Sequence, residues 1–235
     1  MPAANQRFTA NHLLAALSRQ AYQRMLPGLK PVELIYGQVL YEPKGQIRYV
    51  YFPINCLVSL LTAVDKGRTL EVGMVGNEGM VGMPMALGIG FSAVRALVQA
   101  SGTAMRMTAA RFRAEFGKNP PLQRAMFQYD HFLMAQISQT AACNRFHESE
   151  ARLARWLLMT GDRVHANNFY LTHEFLAHML GVTRAGVTHA ARALHRRKLI
   201  DYSRGNVKIL DRKGLEAAAC VCYRIVKNLQ DRAQV

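Results

Sequence analysis

Acidic residues are scarce in this 235-residue chain: 15 Asp and Glu stand against 30 Lys and Arg, a formal net charge of +15. Such an excess favours polyanionic partners, either nucleic acid or an anionic membrane. Long apolar runs are missing too. None approaches the roughly 18–20 residues of a spanning helix, so no membrane partner is expected. The first residues, MPAANQRFTANHLLAALSRQ, carry a short apolar patch between polar flanks and no small-residue cleavage site. No signal peptide is expected from them. The four cysteines, Cys56, Cys143, Cys220 and Cys222, form no CxxC pair, which points to free thiols in a reducing compartment, the cytoplasm. Histidine is absent between residues 13 and 130, so a β-rich segment there lacks the imidazoles of a metal-binding barrel enzyme. His173 and His178 are five apart, the wrong offset for one helical face. No Ser-His-Asp set or phosphate-cradling glycine loop stands out. The expectation is a protein that is not an enzyme and holds no cofactor or metal. Cys220 and Cys222 are read as structural, because two thiols do not complete a metal site.

What is present has a clear order. Leu13, Leu14, Leu17, Tyr22 and Met25 lie close to helical spacing and predict one short amphipathic helix over residues 10–27. From about 31 to 109 come short β-rich runs, among them VELIY, IRYVYF, CLVSLLTAV and TLEVGMV. Gly, Pro, Asp and Lys separate them, the texture of a sandwich or barrel. A helix over 109–117 stops at Lys118-Asn119-Pro120-Pro121. Beyond the prolines, Leu122, Met126, Tyr129, Leu133, Ile137 and Ala141 recur at steps of three and four. This single apolar stripe suits either a helix packed on its own domain or, the preferred reading, a two-stranded seam between subunits. A further helix over 147–161 and a last one over 214–232 complete the pattern.

The informative segment is Leu171-Thr-His-Glu-Phe-Leu-Ala-His-Met-Leu-Gly-Val-Thr-Arg-Ala-Gly-Val-Thr-His-Ala-Ala-Arg-Ala-Leu194. Thr172 and Thr183 can each cap a helix. Leu176, Leu180 and Val187 occupy packing positions, and Ala177 is small where two helices must cross. Gly181 follows, where a tight turn wants a positive φ. Together these residues make a helix-turn-helix. Basic residues crowd the following stretch: Arg184, Arg192, Arg196, Arg197, Lys198, Arg204, Lys208, Arg212 and Lys213, against only Asp201 and Asp211. LIDYSRGNVKIL reads as a β-hairpin turning at Arg204-Gly205-Asn206. A basic helix followed by a basic hairpin is the electrostatic footprint of a winged helix on duplex DNA. The start of the second helix should meet base edges, with Arg184, Thr188 and His189 as candidates. Thr172, Thr183, Arg192, Arg196, Arg204 and Lys208 are the candidate phosphate contacts.

With these residues in view the whole chain resembles the Crp–Fnr family of transcription regulators. Gly37-Gln-Val-Leu-Tyr-Glu-Pro, Val50-Tyr-Phe-Pro and Val75-Gly-Asn-Glu-Gly-Met-Val-Gly add to the likeness. The resemblance implies an α+β chain in four parts. A cyclic-nucleotide-binding-like, jelly-roll-like sensor β-roll spans 1–119 and a dimerisation helix 120–145. A winged helix-turn-helix spans 146–213 and a C-terminal helix 214–235. It implies a homodimer on a near-palindromic operator, with RNA polymerase as a further partner. Two departures limit the transfer. Cyclic-nucleotide-binding members carry Gly-Glu and later an Arg followed by Ser or Thr; here those places hold Gly82-Met83 and Ser92-Ala93. A cyclic phosphate without a cationic partner loses its charge-assisted bonds, so an effector other than cAMP or cGMP is expected. In the reading helix, Arg184-Ala-Gly-Val-Thr-His189 replaces the family's Arg-Glu-Thr-Val-x-Arg, and only Arg184 carries over. That leaves one alternative, a protein-interaction module that keeps the fold and has lost specific DNA binding.

Overall fold

The computed structural model describes residues 10–63, 69–203 and 205–233. They form two compact units. One is drawn from residues up to 60, from 74–134 and from 229 onward, and the other from 61–73 and 135–228.

The N-terminal part opens with two short helices, α1 (His12–Ala15) and α2 (Arg19–Met25), in place of the single one expected. The reason is capping. Asn11 Oδ1 accepts from Leu14 N at 3.1 Å and Ser18 Oγ from Ala21 N at 3.3 Å, so Ser18 leaves helical geometry to start a second helix. Seven strands follow: β1 (Lys30–Leu34), β2 (Val39–Tyr41), β3 (Tyr49–Pro53), β4 (Leu57–Ala63), β5 (Thr69–Val75), β6 (Arg95–Ala100) and β7 (Gly102–Thr108). They make two sheets, β1-β7-β3 and β2-β6-β4-β5. In the first, Val50 faces Met107 and Phe52 faces Met105 across an antiparallel ladder, all four buried. Alternate residues thus supply one apolar face, which is how short β-branched and aromatic runs form a roll.

After α3 (Ala109–Phe116) comes α4 (Pro120–Phe146), 27 residues long. Its apolar stripe is used differently from the preferred reading. Leu122, Met126, Tyr129 and Leu133 are buried within their own chain, so they are core residues and not a free seam. Ile137 is half-buried and Ala141 exposed. Gly79 lies directly under Tyr129: a Cβ at residue 79 would overlap the ring.

The second unit holds α5 (Ser149–Val164), β8 (Asn168–Tyr170), α6 (His173–Leu180), α7 (Arg184–Arg196), β9 (Ile200–Ser203) and β10 (Asn206–Ile209). The strands form a sheet of order β8-β10-β9, with Gly205 at φ 85° in the turn. Residues 61–63 of β4 and 69–73 of β5 belong to this unit, where Glu71 Oε1 accepts from Trp156 Nε1 at 2.9 Å. The single last helix expected over 214–232 is instead two, α8 (Arg212–Ala218) and α9 (Cys222–Ala233). Asp211 caps α8 early, and extended backbone at Ala219 ends it. No helix among the described residues is long and apolar enough to cross a membrane.

Candidate nucleic-acid interface

The geometry of the helix-turn-helix follows from a few side chains. Thr172 Oγ1 accepts from Phe175 N at 3.1 Å and starts α6. Gly181 ends it at φ 60°, and a Cβ there would stand 2.6 Å from Leu70 Cδ1. The left-handed backbone favours glycine, and a larger residue would also push the Leu70 side chain aside. Thr183 Oγ1 accepts from Gly186 N at 3.1 Å and starts α7. Val187, Ala190, Ala191, Ala193 and Leu194 turn one face of α7 inward, against α5 and α6. Arg184, Ala185, His189, Arg192 and Arg196 are left exposed on the other. The two threonine oxygens serve as caps, and each hydroxyl keeps a hydrogen to donate.

Thr188 is only half-exposed and its hydroxyl is engaged. It donates to Arg184 O at 2.9 Å and meets His173 Nδ1 at 2.9 Å. With its one hydrogen committed, Thr188 accepts from a protonated Nδ1, which leaves Nε2 as the bare nitrogen of a neutral ring. That Nε2 is buried without a partner. The ring stacks on Tyr202 with centroids 4.4 Å apart, tying β9 to α6. Burial, with Arg184 and Arg192 adding to it, holds the His173 pKa below its ordinary 6.5. A histidine depressed in the folded state contributes stability that is complete above its unfolded pKa and is lost as pH falls below that value. Wild-type protein should therefore lose thermal stability as pH drops below 6.5, and His173→Gln should flatten that part of the profile. Parallel profiles for the two proteins would show that His173 does not carry the effect.

The basic residues divide into two sets. Arg197 pairs with Glu150 at 2.7 Å, and Arg212 with Asp162 and Glu216, so these two are held within the protein. By contrast, no carboxylate among the described residues lies in ion-pair range of Arg184, Arg192, Arg196 or Lys208. All four side chains are exposed, three on α7 and Lys208 on β10. Arg204 lies outside the described residues. A row of unpaired cations on a helix and its neighbouring hairpin is what a phosphate backbone binds.

Comparison with known proteins bears directly on this geometry. Residues 151–218 match the Crp-like helix-turn-helix domain. They form a Crp-like helix-turn-helix domain. The structural neighbours carry the likeness along the chain. FixK2 from Bradyrhizobium japonicum superimposes with a TM-score of 0.69 at 14% identity, covering 82% of this chain and 98% of that one. The CLP regulator of Xanthomonas campestris, described as c-di-GMP responsive, gives 0.66 at 16% identity over 82% and 99%. A CRP-family transcriptional regulator from Thermus thermophilus gives 0.62 at 19% identity over 80% and 96%. Comparison with curated proteins gives no match. The chain has the fold of Crp–Fnr transcription regulators: an N-terminal β-roll, a long helix and the Crp-like domain.

The four positions that the sequence resemblance sets against the family's nucleotide ligands lie in the β-roll as follows. Gly82 adopts φ 108° beneath Tyr41 and Val50, and Met83 is buried. Ser92 is buried with its hydroxyl bonded to Val94 O at 2.7 Å, and Ala93 is exposed. The nearby Arg95 pairs with Glu42 at 2.9 Å, so its charge is taken. Sequence reasoning misses the His173–Thr188–Tyr202 link and strand β8. The alternation in Asn168-Phe169-Tyr170-Leu171 is the available signal for β8, since Phe169 within it and Leu171 just beyond it are buried.

Proposed function

We propose that this protein is a homodimeric transcription regulator of the cytoplasm that binds duplex DNA by laying α7 of each protomer in the major groove of a near-palindromic operator. The observation that carries the reading is the set of unpaired exposed cations Arg184, Arg192, Arg196 and Lys208 on a Crp-like domain. Arg184, at the exposed N-terminal end of α7, reads a base edge, and His189, exposed five residues on, is the second candidate. Thr188 presents its methyl group, because its hydroxyl is spent on His173 and Arg184. Arg192, Arg196, Lys208, Arg204 and the cap hydroxyls of Thr172 and Thr183 hold phosphates. The sensor roll responds to an effector other than cAMP or cGMP, because Met83 offers no carboxylate and Ser92 no cation. RNA polymerase is the partner through which bound protein acts on transcription.

Selection of bound sequences from a random duplex pool tests the reading, and recovered sites should show two-fold symmetry. Arg184→Ala should relax preference at one position per half-site, by about 1–3 kcal/mol. Equal weakening on every sequence would make Arg184 a phosphate contact instead.

The dimer face also takes a new assignment. On α4, Phe127, His131, Met134, Ser138 and Ala141 are spaced by four, three, four and three, and all are exposed. Phe127 and Met134 leave more than half of their surface to solvent, at 54% and 56%. Phe127, Met134 and Ala141 stand one heptad apart on this face, a spacing that suits a two-stranded seam. Met134→Glu should raise the dimer dissociation constant about a hundredfold, because two carboxylates would be buried facing each other. Sedimentation of the variant as a dimer indistinguishable from wild type would rule this face out as the seam.

A further inference from the structure

Four ligand-type side chains converge where α4 ends. Cys143 and His147 stand at i and i+4 and so leave the same side of the chain, with His147 N bonded to Cys143 O at 3.1 Å. Cys220 and Cys222 come from the bend between α8 and α9, far away in sequence. One sulfur or ring nitrogen from each of the four residues lies within 4.8 Å of all the others. Cys143 Sγ is 3.4 Å from Cys220 Sγ, and His147 Nδ1 is 3.5 Å from Cys222 Sγ. The three sulfurs are buried and Ala151 packs against them. Cys56, the remaining cysteine, lies on its own in the β-roll.

We propose that Cys143, His147, Cys220 and Cys222 form a closed tetrahedral site for a single zinc ion, which fastens the start of α9 to the end of α4. Three thiolates and one imidazole with no vacant position are the ligand set of a structural zinc centre. Bond lengths of about 2.3 Å to sulfur and 2.0–2.1 Å to nitrogen put tetrahedral ligand atoms roughly 3.5–3.8 Å apart. Cys143–Cys220 at 3.4 Å and His147–Cys222 at 3.5 Å stand close to that spacing, and no other pair is more than 4.8 Å apart. A bound of 4.8 Å on every pair argues against an iron–sulfur cluster, in which ligands on different irons must stand farther apart.

The surroundings are also those of an anionic sulfur site. Gln139 Nε2 donates to Cys222 Sγ at 3.0 Å, and a donor held against the sulfur favours the thiolate. Arg152 and Arg155 are 8% and 6% exposed. Both interact electrostatically with the Cys143 sulfur. Neither has a carboxylate in ion-pair range among the described residues, and the Nε of each is buried without a partner. Their other bonds go to neutral oxygens: Asn144 Oδ1 and Leu180 O for Arg152, Thr140 Oγ1 for Arg155. Two buried guanidinium groups need an anion nearby. Zn²⁺ with three thiolates carries a net charge of minus one and supplies it. A Cys143–Cys220 disulfide would use only two of the four groups and leave the buried cations uncompensated. Leu180 is the last residue of α6, so Arg152 joins the site by one side chain to the turn of the helix-turn-helix.

The test uses the full chain purified under reducing conditions without chelator, and no DNA, so its outcome is independent of the DNA-binding proposal. Elemental analysis should find about one zinc per chain. After removal of the metal, cobalt(II) should give intense tetrahedral ligand-field bands and a sulfur-to-cobalt charge-transfer band, both displaced by zinc. Cys222→Ser and His147→Ala should each weaken zinc binding by about tenfold or more, while Cys56→Ser keeps full occupancy. The wild-type cobalt spectrum needs no variant, so misfolding of Cys222→Ser leaves the test intact. A chain that holds no zinc and gives only octahedral cobalt bands overturns the proposal, as does a Cys143–Cys220 disulfide in the protein as isolated.

Discussion

Val187→Asp should unfold the unit that holds the helix-turn-helix, the largest single-residue effect expected anywhere in the chain. Val187 is fully buried on the face of α7 that packs against α5 and α6. Its neighbours along that face are Ala190, Ala191 and Leu194. None can pair with a carboxylate or donate a hydrogen bond from its side chain. A carboxylate placed there must either stay charged without a partner or bind a proton, and both are costly. The loss should exceed about 4 kcal/mol, the range reached only by uncompensated buried charge or severe cavities. Trp156, the one tryptophan, is buried in the same unit and reports the event by its fluorescence. Ala185→Asp serves as the control, because Ala185 is exposed two residues away. It should melt like wild type while losing DNA binding. A Val187→Asp protein that melts with wild type would mean that this face of α7 is not packed as described.

The second large effect lies in the N-terminal unit. Gly79→Ala should destabilise it by about 1–3 kcal/mol or more, although only a methyl group is added. That methyl would overlap the Tyr129 ring, and Tyr129 is completely buried on α4. A rigid ring in a closed core cannot swing aside as a surface lysine would. The helix or the Val75–Gly82 segment must shift instead. The cause can be isolated by a double-mutant cycle. Tyr129→Ala alone should cost about 3–5 kcal/mol for the missing ring. Joined to Gly79→Ala it should cost clearly less than the two separately, because the methyl then has room. Additive losses would show that the two residues do not touch.

How much of this can be read from the amino-acid order depends on the range of the interaction. The helix-turn-helix is legible because its constraints are local. Ala177, Gly181 and the caps Thr172 and Thr183 lie within a dozen residues, and each answers a backbone requirement that holds in any chain. The wing turn at Gly205 is legible for the same reason. The stripe on α4 is legible as a helix but not as an assignment of faces. Leu122, Met126, Tyr129 and Leu133 have the spacing of a seam, yet so does any stripe buried in its own domain. Phe127 and Met134, on the outer face, escape notice because an isolated apolar residue on the surface is ordinary. The split of the last helix turns on Asp211 as a cap and extended backbone at Ala219. Periodicity in Leu215, Cys222, Ile225 and Leu229 runs through that break and conceals it. The thiol and imidazole cluster is the least legible feature. Cys143 and Cys220 are 77 residues apart, and no spacing rule joins them until the fold brings α4 beside the bend after α8. Reading Cys220-x-Cys222 as a pair by itself therefore misses its two partners.

If α7 and its hairpin lie against phosphate, salt must compete with the protein for DNA. The most direct measurement titrates full-length protein against duplex DNA of unrelated sequence while ionic strength is raised. Affinity should fall steeply and linearly on logarithmic axes. Arg196→Ala should reduce the slope by about 0.9 for each phosphate that the variant no longer neutralises. Binding that ignores salt, or no binding to any duplex at low ionic strength, would contradict a phosphate-bound α7.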